Sequence, residues 1–105
     1  MEYTIDLQQI ADNLDFDLED VEMLMEVFLE GAQESLAALK EAVDNNDMDG
    51  IYKSAHSLKG SSANLMLTDI SEIAKDMELN AREQNNIEYS IKYDELEEKV
   101  SALTK

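Results

Sequence analysis

The chain lacks cysteine, proline and tryptophan, and it has one histidine and three glycines among its 105 residues. Without cysteine it can form no disulfide, no thiolate metal site and no cysteine nucleophile. A single histidine without cysteine also falls short of the ligand set that a zinc site needs. The absence of proline favours long uninterrupted helices, because proline removes a backbone hydrogen bond inside a helix.

Long apolar runs are absent too. No run approaches the roughly 20 residues that a membrane-spanning helix needs, and the first six residues lack the basic and apolar regions of a signal peptide. We therefore expect no membrane association and a cytoplasmic location. The length predicts one domain with one core over residues 1–105.

Positive charge is scarce and negative charge is unevenly distributed. The chain has 25 acidic and 8 basic side chains and a formal net charge of −17, which argues against binding of nucleic acid or an anionic membrane. No Asp or Glu occurs from Gly50 through Thr68, although Lys53 and Lys59 do. This window is centred near His56, and it indicates either burial or a benefit from low negative charge.

Apolar residues recur at intervals of three and four, which predicts five helical segments and no strands. The first, second and fifth predicted segments are about Thr4–Leu14, about Leu18–Asp44 and about Ile87–Leu103. The third is capped by Asp47 and reaches about Met66. The fourth is capped by Thr68, and its apolar stripe reaches Ala81. Connections of two or three residues imply antiparallel neighbours. We predict an all-α fold: an antiparallel up-down-up-down four-helix bundle with a short extra N-terminal helix across one end.

The only histidine is predicted to lie beside the core. Helical residues turn about 100° each, so His56 is one step away from the inward-facing Ala55. The side chains nearest to its direction on the helix are Tyr52, Lys53, Lys59, Gly60 and Ala63. The alternative is an ordinary boundary histidine with no chemical role.

Gly60 favours a functional interpretation of this surface. A glycine inside a helix costs about 1 kcal/mol relative to alanine, and the usual reason to keep one is close approach by another backbone or a ligand. Gly60 is one turn beyond His56 on the same face, where it would admit a partner surface. The alternative is that Gly60 ends the helix, although Ser62 and Leu65 continue the apolar period beyond it.

The predicted hairpin of the third and fourth segments brings two further side chains to His56. A turn near residues 67–68 places His56 level with about Leu79, so Glu78 and Arg82 can border the same ridge. Glu78 could then accept a hydrogen bond from the imidazole ring and orient it. The alternative is an exposed ion pair between Glu78 and Arg82 four residues apart.

The segment His56-Ser57-Leu58-Lys59-Gly60-Ser61 resembles the signature His-x-Leu-Lys-Gly-Ser of histidine-containing phosphotransfer (HPt) domains. Ser62, Asn64-Leu65, Met77-Glu78 and Arg82 also fit the pattern of that family. Two departures are visible. Met66 stands where the family commonly has glycine, and Met48 stands where it often has an aromatic residue.

The resemblance implies a phosphorelay phosphocarrier. His56 would accept a phosphoryl group from the aspartate of a receiver domain or donate it to one. The helical geometry given above then assigns positive charge to Lys59 and Arg82, and a docking surface to Tyr52, Lys53, Gly60 and Ala63. The partners would be response-regulator receiver domains and a hybrid sensor histidine kinase, and Mg²⁺ would belong to the receiver.

We expect no cofactor on this chain, no enzyme activity of its own and a monomeric state. The sequence shows no glycine-rich nucleotide loop and no kinase motif. Two alternatives remain open at this point. One is the phosphoacceptor domain of a chemotaxis-type histidine kinase, phosphorylated from ATP by a separate catalytic domain. The other is a non-catalytic structural helical docking module. The chain could be a free protein or a domain of a hybrid kinase.

Overall fold

The computed structural model describes residues 2–104, and the described part of the chain is helical with short connections. Its five helices are α1 (Leu7–Leu14), α2 (Leu18–Asp44), α3 (Met48–Asn64), α4 (Thr68–Arg82) and α5 (Tyr89–Ser101). None of the helices in this range is long and apolar enough to cross a bilayer.

The helix starts follow from local capping. α1 begins at Leu7 rather than near Thr4, because the Asp6 side chain accepts hydrogen bonds from the backbone N–H groups of Gln8 and Gln9 at 3.0 and 3.3 Å. α3 has its predicted cap, with the Asp47 carboxylate 3.1 Å from the Gly50 backbone nitrogen. Both carboxylates satisfy donors that have no partner within the helix.

The predicted cap of α4 is wrong. Leu67 occupies the cap position without a side-chain hydrogen bond, and Thr68 is the first helical residue. The Thr68 hydroxyl donates backwards to the Met66 carbonyl at 3.5 Å instead. The reason is that Met66, just after the end of α3, adopts a left-handed backbone conformation with φ 57°. Helix α4 therefore begins at Thr68, one residue earlier than it would if Thr68 were the cap. Because a left-handed residue is disfavoured for any side chain with a Cβ, this geometry accounts for a glycine preference at the position of Met66.

Helices α2 to α5 surround one core, and the all-α bundle predicted from the sequence is confirmed. α3 packs between α2 and α4, α5 packs between α4 and α2, and α1 packs on α2. The segment before α1 lies at one end of the bundle, where the Thr4 backbone N–H donates to the Leu103 carbonyl at 2.8 Å. Ile5 lines a cleft there with Met66, Leu67 and Leu103.

The apolar spacing predicts an inward stripe on each helix, and most of these residues are buried, but four are only half-buried: Leu14, Val43, Ile73 and Tyr93. Val43 on α2 and Ile73 on α4 are half-buried, and the adjacent Ala42 and Ala74 face the core instead. A small residue at Ala42 is required because α3 comes very close to α2 there. A Cβ on Gly50 would lie 2.9 Å from the Ala42 Cβ and 2.7 Å from the Asp47 carboxylate.

This close approach predicts opposite effects of alanine at two helical glycines. Gly31→Ala on α2 has open space around its new Cβ, so we expect a gain of up to about 1 kcal/mol in the free energy of unfolding. Gly50→Ala should lower that free energy, because the Ala42 Cβ can move away only if the helices separate. Urea unfolding of both variants tests the pair, and a stabilised Gly50→Ala protein would contradict the packing.

Candidate functional site

His56 lies at the middle of α3, on the side that faces α4. Its neighbour Ala55 is completely buried, whereas the His56 side chain is 59% exposed. The ring therefore stands at the edge of the core with one side open to solvent. This is the placement that the helical period predicts.

The imidazole is held by a buried carboxylate from α4. Oε2 of Glu78 lies 2.9 Å from Nδ1 of His56, and the Glu78 side chain is only 7% exposed. An ionised carboxylate can only accept a hydrogen bond, so Nδ1 of the ring donates. In the neutral imidazole the remaining nitrogen, Nε2, then keeps its lone pair. Nε2 is therefore available as a nucleophile or a base.

Lys59 has a role that the sequence did not reveal. Its ammonium Nζ lies 3.0 Å from each of the two Glu78 carboxylate oxygens. Its side chain is about one-third exposed, one turn beyond His56 on α3. Lys59 thus neutralises the buried carboxylate that orients the imidazole, and it also places a positive charge near His56.

The pKa of Glu78 reflects these contacts. Burial on its own raises the pKa of this carboxyl, but the hydrogen bonds from Lys59 and His56 together lower the pKa below its ordinary value. Glu78 is therefore ionised at neutral pH, and it remains a hydrogen-bond acceptor for the imidazole.

The predicted docking residues surround the exposed side of His56. The Tyr52 ring stacks on the imidazole with centroids 5.9 Å apart and planes 15° apart. Gly60 is exposed inside α3, and nothing lies within 4 Å of the position that a Cβ would take. Gly60 therefore does not end the helix, and the space beside it, one turn beyond His56, is open. Ala63 is exposed one turn further along.

The other two basic residues predicted near His56, Lys53 and Arg82, lie in different surroundings. Lys53 is paired with Asp49 at 3.0 Å on the exposed surface, so part of its charge is neutralised. Arg82 is the last residue of α4 and borders a shallow cleft beside Tyr52. The alternative ion pair between Glu78 and Arg82 is not formed, because both Glu78 oxygens are engaged by His56 and Lys59.

Two residues near the site were not predicted from the sequence. The Ser71 hydroxyl on α4 donates to the Lys59 backbone carbonyl at 3.4 Å, which joins the two helices beside the site. Lys75 is exposed on α4, three residues before Glu78, so the two side chains lie on neighbouring parts of one helix face. The sequence could have indicated Lys75 by its spacing, because it lies about one helical turn before Glu78 and about two turns before Arg82.

Comparisons with known proteins point to one family. The Hpt domain family model matches residues 23–105 of this chain. The fold is similar to the crystal structure of histidine-containing phosphotransfer protein B (HptB) from Pseudomonas aeruginosa, with a TM-score of 0.79 and 21% identity. That similarity covers 92% of this chain and 82% of the other. No curated protein matches the sequence.

The lowered pKa of Glu78 predicts a pH dependence of stability. A carboxyl whose pKa is lower in the folded protein stabilises the fold above its unfolded pKa of about 4.3, and this contribution disappears as the pH falls through the folded pKa. We expect Glu78→Gln to lose about 1–3 kcal/mol at pH 6. The difference from wild type should shrink below about pH 4.

Urea unfolding of both proteins between pH 6 and pH 3 measures this difference. Glu72→Gln, which changes an exposed carboxylate on the same helix, is the control and should stay close to wild type throughout. A constant gap between wild type and Glu78→Gln across that pH range would show that the Glu78 charge does not act in the folded state.

Proposed function

The chain belongs to the Hpt domain family, the histidine phosphotransfer carriers of two-component phosphorelays, and we propose that His56 is the residue that carries the phosphoryl group. The observation behind this assignment is the 2.9 Å contact between Nδ1 of His56 and Glu78. In the neutral imidazole this contact places the proton on Nδ1 and leaves the Nε2 lone pair free, on a ring that is 59% exposed. A nucleophilic nitrogen at the surface is what acceptance of a phosphoryl group from a partner requires.

In the proposed reaction, the Nε2 lone pair attacks the phosphorus of an aspartyl phosphate on a receiver domain. The Nε2–P bond forms as the P–O bond to the aspartate breaks, and the aspartate leaves as a carboxylate. The Nδ1 proton stays on the ring, which therefore gains positive charge. The Glu78 carboxylate stabilises that charge from 2.9 Å away. Donation to a second receiver is the same step in reverse.

The phosphorylated site requires positive charge nearby, because a phosphoryl group adds up to about two negative charges. Lys59 is the nearest source, one turn from His56 and already held by Glu78. Arg82 contributes from the end of α4, beside Tyr52. The acid-free window from Gly50 to Thr68 keeps repulsion low on the α3 side.

The proposed partners are receiver domains of response regulators and a hybrid sensor histidine kinase, with Tyr52, Lys53, Gly60 and Ala63 as the docking surface. The receiver would hold the Mg²⁺, and this chain would contribute the nucleophile and the cationic side chains. We propose a cytoplasmic monomer that binds neither ATP nor nucleic acid. The net charge of −17 supports the exclusion of nucleic acid.

Phosphorylation of His56 can be tested directly. Receiver domains are charged with acetyl phosphate and mixed with the chain, and the product is analysed by intact and peptide mass spectrometry under non-acidic conditions. We expect one phosphoryl group on the wild-type chain and none on His56→Gln, with similar unfolding midpoints. Labelling of His56→Gln would overturn the assignment, and unlabelled wild type across a full set of receivers would favour a structural docking module.

A matched pair of glycines tests the proposed docking surface. Gly60 and Gly31 are both exposed inside helices, and neither has an atom within 4 Å of the position that a Cβ would take. Because Gly60 is one turn from His56, Gly60→Gln should slow phosphoryl transfer from the receiver by about tenfold or more. Gly31→Gln should transfer at the wild-type rate. Equal rates for the two variants, measured as initial rates, would show that no close approach occurs over Gly60.

A further inference from the structure

We propose that Tyr52 is a positioning residue for His56. Its ring, which lies nearly parallel to the imidazole, restricts rotation of the imidazole and thereby fixes the direction in which Nε2 points. The proposal rests on His56 as the phosphoacceptor. It extends that function by assigning a role to the stacked pair.

The first step concerns how an exposed ring is held. The His56 side chain is 59% exposed, and such side chains ordinarily change rotamer within nanoseconds. The hydrogen bond to Glu78 fixes Nδ1, but the ring can still pivot about that bond. The Tyr52 ring lies beside the imidazole in an offset stack, with planes 15° apart and centroids 5.9 Å apart. The hydrogen bond and the stacked ring together restrict the directions in which Nε2 can point.

Tyr52 is itself held in place. It is half-buried and packs against the buried core residues of the bundle, whereas Lys53 beside it is exposed. Helical side chains lean towards the N-terminal turn, so the His56 ring lies over the residue four positions earlier. The stack is therefore a consequence of a fixed aromatic residue at position 52.

The turns on either side of His56 are chemically different. The preceding turn carries the Tyr52 ring on one face of the imidazole. The following turn carries Gly60, with open space where a side chain would be. Because the Nε2 lone pair lies in the plane of the imidazole, the phosphorus of a receiver must approach in that plane, and the orientation of the ring decides where this approach is possible.

The stack also suits the chemistry of the step. When Nε2 bonds to phosphorus, the ring holds a proton on Nδ1 and gains positive charge. The face of an aromatic ring is electronegative and attracts a nearby cation. Tyr52 therefore interacts more strongly with the ring during transfer than before it. An aromatic ring supplies this interaction, and the Tyr52 hydroxyl is not required.

Three variants separate positioning from general packing. Tyr52→Leu removes the ring, Tyr52→Phe keeps it, and Tyr93→Leu makes the same change at a half-buried tyrosine on α5. The measurements are the unfolding midpoint, the ¹³C NMR order parameter of the His56 ring, and the initial rate of phosphoryl transfer from a charged receiver. All three are made on the full chain.

We expect Tyr52→Leu to lower the ring order parameter and to slow transfer by about three- to tenfold, which is the range that loss of an aromatic contact implies. Tyr52→Phe keeps the aromatic ring, so it should restore the order parameter and the transfer rate that Tyr52→Leu loses. Tyr93→Leu should leave both unchanged, even if its unfolding midpoint falls as far as that of Tyr52→Leu.

The proposal is overturned if Tyr52→Leu keeps the wild-type order parameter and rate, or if Tyr93→Leu slows transfer equally. Slow transfer by Tyr52→Phe would assign the effect to the hydroxyl group and would also overturn it. If wild type accepts no phosphoryl group, the proposed function fails. The order parameters then still decide whether Tyr52 holds the ring.

Discussion

The buried Glu78 carboxylate is the interaction on which the arrangement of the site depends. A charge removed from water is costly unless it is paired and hydrogen-bonded. Glu78 meets this requirement only with His56 and Lys59, which lie one turn apart on α3. The pairing of α3 with α4 is therefore tied to the site, because sliding either helix would leave a buried charge without partners. The orientation of the imidazole and the position of the lysine have the same cause.

Helix α3 contributes to both the core and the site. On α3 the inward stripe is completely buried, and His56 lies one helical step away from it. On the exposed face, the turns before and after His56 carry side chains of very different size. The Tyr52 ring stacks beside the imidazole, and Gly60 leaves open space one turn beyond it. The buried face of α3 holds its backbone in place, so residues on its exposed face can be selected for function with little loss of folding stability.

Much of this arrangement was predictable because helices repeat with a fixed period. The spacing of apolar residues located the five helices, and antiparallel pairing brought Glu78 level with His56. The predictions that failed concern where a helix begins and how closely two helices approach each other. Thr68 does not cap α4 because Met66 adopts a left-handed conformation. Ala42 replaces Val43 in the core because α3 approaches α2 closely at Gly50.

The sequence by itself determined the helices, the buried stripes and the motif around the only histidine, because these follow from local spacing and composition. Only the tertiary structure decided which charges are paired. Lys53 binds Asp49 on its own helix, whereas Lys59 reaches across to Glu78. It also decided that Tyr52 lies against the imidazole. A flexible side chain pairs with whichever charged group the packed helices bring within reach. The helical period fixes positions within one helix, but it does not fix the distances between side chains on different helices.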